Sequence, residues 1–252
     1  MTKQLHYAQE IEKDLPELLL ALENEEYPLV IRGAHNEVRN RNYWGKFLSE
    51  KCGLTLDHRQ YDFDENLQQA KWWEISNQPD KESSYAHSTT PQPFHNDNAW
   101  FGDAAEVNFF IMKKQVAEGG EQLIYPVSRL IQDLEVADQT LLNDLLNTEV
   151  TISKGADDNQ NVTKIITNDE TGYKTHWNYY RTIKTDAFVN ELCERFFSFL
   201  QVQRESSSVF KLRAESGDAF AFNDQRLLHA RTSFKAEKPK DRILLQSMWR
   251  IS

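Results

Sequence analysis

Cysteine is scarce in this chain of 252 residues: only Cys52 and Cys193 occur, without C-x-x-C spacing. That excludes a disulfide framework and suits a reducing compartment, so a cytoplasmic location is expected. Long apolar runs are missing as well. No stretch approaches the roughly 18 apolar residues of a membrane span, and Met1 to Glu10 holds no signal-peptide core. Lys and Arg form no clusters and the formal net charge is −10, which argues against nucleic acid or any partner held through its phosphates. Internal repeats, low-complexity tracts and linkers are absent too, so the chain reads as one domain over 1–252. What is present is an ordinary globular complement, with six Trp, nine Tyr and fourteen Phe to build a core.

The pattern along the chain opens helix, strand, helix. Asp14 is placed to cap a helix whose first turn holds Pro16 and Glu17; Tyr27 to Ile31, closed by Gly33, reads as a buried strand; a second helix runs near Asn42 to Lys51 and stops at Gly53. Residues 54–93 are polar and broken by Pro and Ser apart from Lys71 to Ile75, and are expected to be mostly loop with short strands, as a lid over a site. Strands are expected at Val107 to Met112 and Gln122 to Tyr125, around the turn Glu118-Gly119-Gly120-Glu121, then two short helices within Val127 to Leu146. Further strands are expected at Val150 to Ser153, Thr163 to Thr167 and Tyr173 to Tyr180. A helix over Asp186 to Arg204 would place Phe188, Leu192, Phe196, Phe197 and Leu200 on one face. Val209 to Leu212, Ala219 to Phe222, Arg226 to His229 and Ile243 to Trp249 complete a mainly β pattern with flanking helices.

The chemistry lies in three places. Phe94-His95-Asn96-Asp97 puts a histidine and an aspartate two residues apart, so on an extended segment or its end both reach one side. Leu228-His229-Ala230-Arg231 supplies a second histidine at the end of an apolar strand, and Arg242 follows thirteen residues later. Taken singly, a His-x-Asp pair is more often a surface pair, a strand histidine a core residue, and an arginine a solvated one. Together, two histidines and a carboxylate are the set that holds a non-haem Fe(II) on one face and leaves the other open.

Order and context carry more. Ala219-Phe220-Ala221-Phe222-Asn223-Asp224, then Leu227-Leu228-His229-Ala230-Arg231, then Asp241-Arg242-Ile243-Leu244, preceded by His95-x-Asp97 and the Gly119-Gly120 turn, resemble the signature of the taurine dioxygenase and clavaminate synthase-like family of Fe(II)/2-oxoglutarate oxygenases. The likeness covers residues 90 to 126 and 215 to 250 well and the segment between loosely. It implies a double-stranded β-helix, or jelly-roll, with Fe(II), 2-oxoglutarate and O2 as cofactor and cosubstrates. His95, Asp97 and His229 match the iron ligands, and Arg242 the guanidinium that grips the far carboxylate of 2-oxoglutarate, a task for a planar fork of donors. Where the family usually has Thr beside that carboxylate, this chain has Gln122, whose amide can also donate.

The resemblance implies hydroxylation of an unactivated C–H bond; desaturation, cyclisation or epoxidation would need only a different fate for the substrate radical. Halogenation is disfavoured, because related halogenases lack the carboxylate that Asp97 provides. Candidate substrate contacts are Asn98 and Trp100 beside the His-x-Asp pair, Gln246 one strand repeat beyond Arg242, Asn178 and Arg181 in the stretch Thr175 to Arg181, which resembles a strand of the family that faces the pocket, and Glu74, an anion for a substrate amine beside the apolar wall of Trp72 and Trp73. These point to a small polar molecule, a free amino acid or an amine-bearing metabolite, and leave homo-oligomerisation open. Two other classes use the same residue types: a non-catalytic metal sensor, which needs no Arg242, and a zinc hydrolase, for which no further general base stands at motif spacing.

Overall fold

A computed structural model of the protein describes residues 5–7, 13–62, 64, 66–155 and 159–251; most of the amino-terminal segment read above for a signal peptide lies outside them. The elements run β1 (Leu5–Tyr7), α1 (Leu15–Ala21), β2 (Leu29–Arg32), α2 (Arg41–Glu50), β3 (Thr55–Asp57), β4 (Arg59–Tyr61), β5 (Leu67–Gln69) and β6 (Trp73–Ser76). Then come β7 (Gln92–His95), β8 (Val107–Lys114), β9 (Gln122–Pro126), α3 (Val127–Ala137), α4 (Gln139–Asn147), β10 (Glu149–Ser153), β11 (Gln160–Lys164), β12 (Ile166–Asp169) and β13 (Gly172–Thr175). The chain ends with β14 (Thr182–Ile183), α5 (Ala187–Gln203), β15 (Phe210–Leu212), β16 (Ala219–Asn223), β17 (Leu227–Arg231) and β18 (Ile243–Arg250).

Two sheets frame the site. The larger has the order β1-β2-β16-β8-β18-β3, with β6 also paired to β18; the smaller runs β15-β9-β17-β7. Consecutive strands β7, β8 and β9, and again β15 to β18, change sheet at every step. Period-two alternation then sorts each strand into two faces. On β8, β16 and β18 the residues Phe110, Met112, Phe220, Phe222 and Leu244 meet Ile124, Leu212 and Leu227 of the smaller sheet in an inner core. Their neighbours Phe109, Ile111, Ala219, Ala221 and Leu245 face outward and bury against α1 and α2. Leu123, Tyr125, Leu228 and Ala230, on the outer face of the smaller sheet, pack under α3, α4 and α5. Each large aliphatic side chain so buried contributes roughly 1.5–3 kcal/mol.

Helix starts follow the capping residues. Asn40 accepts from Asn42 N at 2.9 Å, Asp138 from Leu141 N at 2.9 Å and Asp186 from Val189 N at 2.9 Å. Asp14 occupies the N-cap position of α1 but makes no side-chain cap, and Pro16 sits in the first turn as expected. Gly33 and Gly53 end β2 and α2 in the left-handed region, with φ of 62° and 69°.

Several expectations change. On α5 the buried stripe is Val189, Leu192, Cys193, Phe196 and Leu200, and Phe188 lies outside it, exposed. Residues 163–167 divide between β11 and β12. β13 stops at Thr175 because the chain beyond it bonds elsewhere: Trp177 N donates to Asn96 Oδ1 at 2.9 Å, and Trp177 O accepts from Asn96 N at 2.8 Å. Within 54–93 short strands occur as expected, and two of them, β3 and β6, extend the edge of the larger sheet.

Candidate metal centre and active site

The site forms where chain crosses between the sheets. β7 ends at His95, the next turn carries Asp97, and β17 brings His229 directly opposite His95 in register. One side chain passes through this crossing as a staple. Asn96, 3% exposed, donates to Thr175 Oγ1 at 3.2 Å, to Leu227 O at 3.0 Å and to Asp224 O. It thereby ties the His-x-Asp turn to β13 and to the start of β17.

The ligating atoms of His95, Asp97 and His229 all lie within 4.8 Å of one another. Asp97 Oδ1 is 3.5 Å from His95 Nε2 and Asp97 Oδ2 is 3.4 Å from His229 Nε2. The far nitrogen of each ring faces an oxygen: His95 Nδ1 is hydrogen-bonded to Pro93 O at 3.0 Å, and His229 Nδ1 stands 2.9 Å from Asp224 Oδ1, close enough for an ion pair but off hydrogen-bond alignment. Both rings therefore direct Nε2 at the same point. Asn108 and Gln246, neighbours on the inner faces of β8 and β18, donate to Asp97 Oδ2 at 2.8 and 2.7 Å.

Charge in this cluster is strongly coupled. Burial alone would push Asp97 up, but the His229 and His95 rings outweigh it and hold the carboxyl well below the usual carboxylate range. Burial opposes a charge on His229, yet Asp224 and Asp97 together hold its pKa up at about 10. One carboxylate and two imidazole Nε2 atoms facing one point, with Asp224 behind the His229 ring, are a donor set for a divalent cation, which would replace the protons on those nitrogens.

Arg242, at the head of β18, is 1% exposed, and its Nε has no partner. Its Nη2 reaches Gly120 O at 3.4 Å, and among the described residues no carboxylate pairs with it. Burial, with Arg231 and Arg213 nearby, lowers its pKa to about 9. With its amide turned to suit its neighbours, Gln122 donates to Ala230 O at 3.2 Å and accepts from Arg242 Nη2 at 3.2 Å. Gln122 thus steadies the guanidinium, with one of its two amide N–H donors taken by Ala230 O. Arg231, two residues after His229, is also buried; it donates to the carbonyls of Ser88 and Thr90 at 2.9 and 2.8 Å and so anchors the segment that borders the cavity.

A cavity of about 900 Å³ opens over the three ligands. Trp100, Asn178, Arg181 and Gln246 line it, together with Arg242 and Gln122. Asn178 and Arg181 reach it from a turn rather than from the expected strand. Asn98 does not line it: held at φ 55°, its amide faces Arg59 O and Met248 Sδ, and the residue is 1% exposed. Glu74 borders the cavity but pairs in register with Leu245, whose side chain faces outward, and its carboxylate is taken by Lys240 Nζ at 2.7 Å. Trp73, opposite Gln246, and Ile75, opposite Leu244, are the residues of that strand on the cavity side. Gln246 itself is committed to Asp97 and Asn108.

Asn108, Asp224 and Arg231 form part of the site without having been singled out from the sequence. Asp224 and Arg231 stand inside the motif; Asn108 carries a signal only as a polar residue within the apolar run Val107 to Met112.

The family model described as "Taurine catabolism dioxygenase TauD, TfdA family" matches residues 4–249. No curated protein matches the chain in sequence. Similar solved structures include an asparagine oxygenase in complex with Fe(II), 2S,3S-3-hydroxyasparagine and succinate, with a TM-score of 0.71 and 13% identity over 93% of this chain and 78% of that one. The non-heme iron oxygenase OrfP in complex with Fe, succinate and (3S)-hydroxy-L-Arg has a TM-score of 0.66 and 11% identity over 94% and 80%. The PvcB protein from Pseudomonas aeruginosa has a TM-score of 0.67 and 14% identity over 100% and 84%. At these identities the likeness is one of fold. No helix among the described residues is long and apolar enough to cross a membrane.

Proposed function

The chain belongs to the TauD, TfdA dioxygenase family, and from that premise we propose that it is an Fe(II)- and 2-oxoglutarate-dependent oxygenase that hydroxylates a free amino acid or a closely similar amine-bearing molecule. The observation that carries this reading is the conjunction of the His95, Asp97 and His229 cluster with a buried guanidinium, Arg242, that pairs with no carboxylate among the described residues. A simple metal sensor or a zinc hydrolase has no use for that cation, whereas a dicarboxylate cosubstrate does. The proposed scaffold is a double-stranded β-helix, in keeping with strands that change sheet at every step.

In this reading His95, Asp97 and His229 hold the iron, and Arg242, steadied by Gln122, holds the far carboxylate of 2-oxoglutarate. When bound, the metal and its cosubstrate supply the O2 activation that oxidises an unactivated C–H bond. The residues of the chain do the positioning. Asn108 and Gln246 fix the Asp97 carboxylate, Pro93 O and Asp224 fix the two rings, and the buried surroundings limit water. Asp97 fills the position that a halide would need, which favours hydroxylation.

The cavity wall supports the substrate class. Lys81, Lys154 and Arg181 border it with Asp62 and Glu82, so both signs of charge are available, as a zwitterion needs. Lys154 Nζ lies 4.6 Å from the Trp100 ring centre, which brings charge and apolar surface to the same wall. Two of the similar structures contain a hydroxylated amino acid together with iron and succinate. The test is a screen of the common amino acids with Fe(II), 2-oxoglutarate and O2, read as succinate formed and a product heavier by one oxygen. Succinate release stimulated by one or a few amino acids, with matching product, is expected; equal, unstimulated release with all of them would reject the amino-acid reading.

A further inference from the structure

We propose that Asp224 is a positioning residue that sets two of the three metal ligands at once. The proposal rests on the metal reading of the site. Asp224 lies in the turn between β16 and β17 and is 2% exposed. Its Oδ1 stands 2.9 Å from His229 Nδ1, and its Oδ2 accepts the backbone N–H of Asp97 at 2.7 Å. A single carboxylate therefore touches the imidazole of one ligand and the main chain of another, which reach the site from different strands.

Asp224 is itself held from every side. Its N–H donates to Glu106 O at 2.7 Å, and its carbonyl accepts the Asn96 amide. The same turn is closed by Gln225 N donating to Asn223 Oδ1 at 3.0 Å and is tied to the end of α1 by Asn223 Nδ2 donating to Leu22 O at 3.0 Å. The carboxylate is thus a fixed point to which the ligands conform. A carboxylate 2.9 Å from Nδ1 favours the tautomer that carries its proton there, which leaves the Nε2 lone pair for the metal. His95 has only the Pro93 carbonyl in the equivalent place, so the control falls on His229 and Asp97.

The consequence is specific to the carboxylate. A carboxamide at 224 keeps the size but offers one acceptor oxygen, and so serves His229 or Asp97 but not both. The test uses metal-stripped full-length protein, with Co(II) as a visible-absorbing probe, in the wild type, Asp224→Asn and Asp224→Ala. Asp224→Ala should weaken Co(II) binding by roughly 10- to 100-fold, the usual span for removing such an outer partner, and Asp224→Asn should fall between it and the wild type. In the Zn(II)-loaded form the downfield Nδ1–H proton signal of His229 should be lost or shifted in Asp224→Ala, while that of His95 stays. If Asp224→Ala does not fold, the size-matched Asp224→Asn carries both readouts. Co(II) affinity within threefold of the wild type in every folded variant would overturn the role of Asp224 alone. A wild type that takes up no Co(II) would overturn the metal reading and this role together.

Discussion

Arg242 is a buried cation with no paired anion among the described residues, an arrangement that costs stability until an anion arrives. Arg242→Ala should weaken 2-oxoglutarate binding by roughly 100-fold or more, and Arg242→Lys by less, since a point charge replaces a planar fork. Titration calorimetry on the Co(II)-loaded protein measures this, with Co(II) affinity itself expected to stay within about threefold of the wild type because Arg242 is not a proposed ligand. Unchanged 2-oxoglutarate affinity in Arg242→Ala would remove that residue from the cosubstrate site. At this scale the sequence exposes the proposed ligands and Arg242 well, because residue type, order and spacing identify them together. Substrate-facing residues are less legible. Glu74 and Trp73 are adjacent, and only the pairing of Glu74 with Leu245 decides that the carboxylate belongs to the outer face. Asn98 fails for a similar reason, since a left-handed backbone at φ 55° turns its amide toward Met248.

Among the elements, the Gly-Gly turn and the His-x-Asp crossing matter most. Gly120 has φ 75°, and a Cβ there would stand 3.0 Å from Arg242 Nε. Gly120→Ala should therefore strain the turn and displace the guanidinium, weakening 2-oxoglutarate binding with little change in Co(II) uptake; an unaltered cosubstrate affinity would show that the guanidinium is not set by this turn. Asn96 closes the crossing through several buried bonds, and removing it leaves their partners unsatisfied. Asn96→Ala should lower unfolding free energy by about 2 to 4 kcal/mol, checked by urea denaturation of the metal-free protein; a change below about 0.5 kcal/mol would mean that the crossing holds without the staple. Most elements can be read from apolar periodicity and turn residues. Those that cannot are decided by distant partners: β13 ends at Thr175 because Asn96, far away in sequence, takes the Trp177 backbone.

For the whole molecule, alternation of side chains gives the layered order of helix, sheet, inner core, sheet and helix, and each layer is recoverable from period-two and helical patterns. The pairing of strands between sheets is not, because it depends on contacts distant in sequence. Proton linkage also acts on the molecule as a unit. Burial lowers the His176 pKa from 6.5 to about 4, so as pH falls from about 6.5 toward 4 the unfolded chain takes up a proton that the folded chain refuses. Stability should fall over that window, and His176→Gln should flatten the decline in a series of thermal melts; an equally steep decline in the variant would assign it to other groups. The central claim is that one site holds both Fe(II) and 2-oxoglutarate. An anaerobic titration of the metal-free protein with Fe(II) and 2-oxoglutarate, followed in the visible region, tests it most directly. A weak charge-transfer band that needs both components, is absent in Asp97→Ala and demands far more cosubstrate in Arg242→Ala is the expected result. Stoichiometric uptake of Fe(II) with no such band at any 2-oxoglutarate concentration would contradict it.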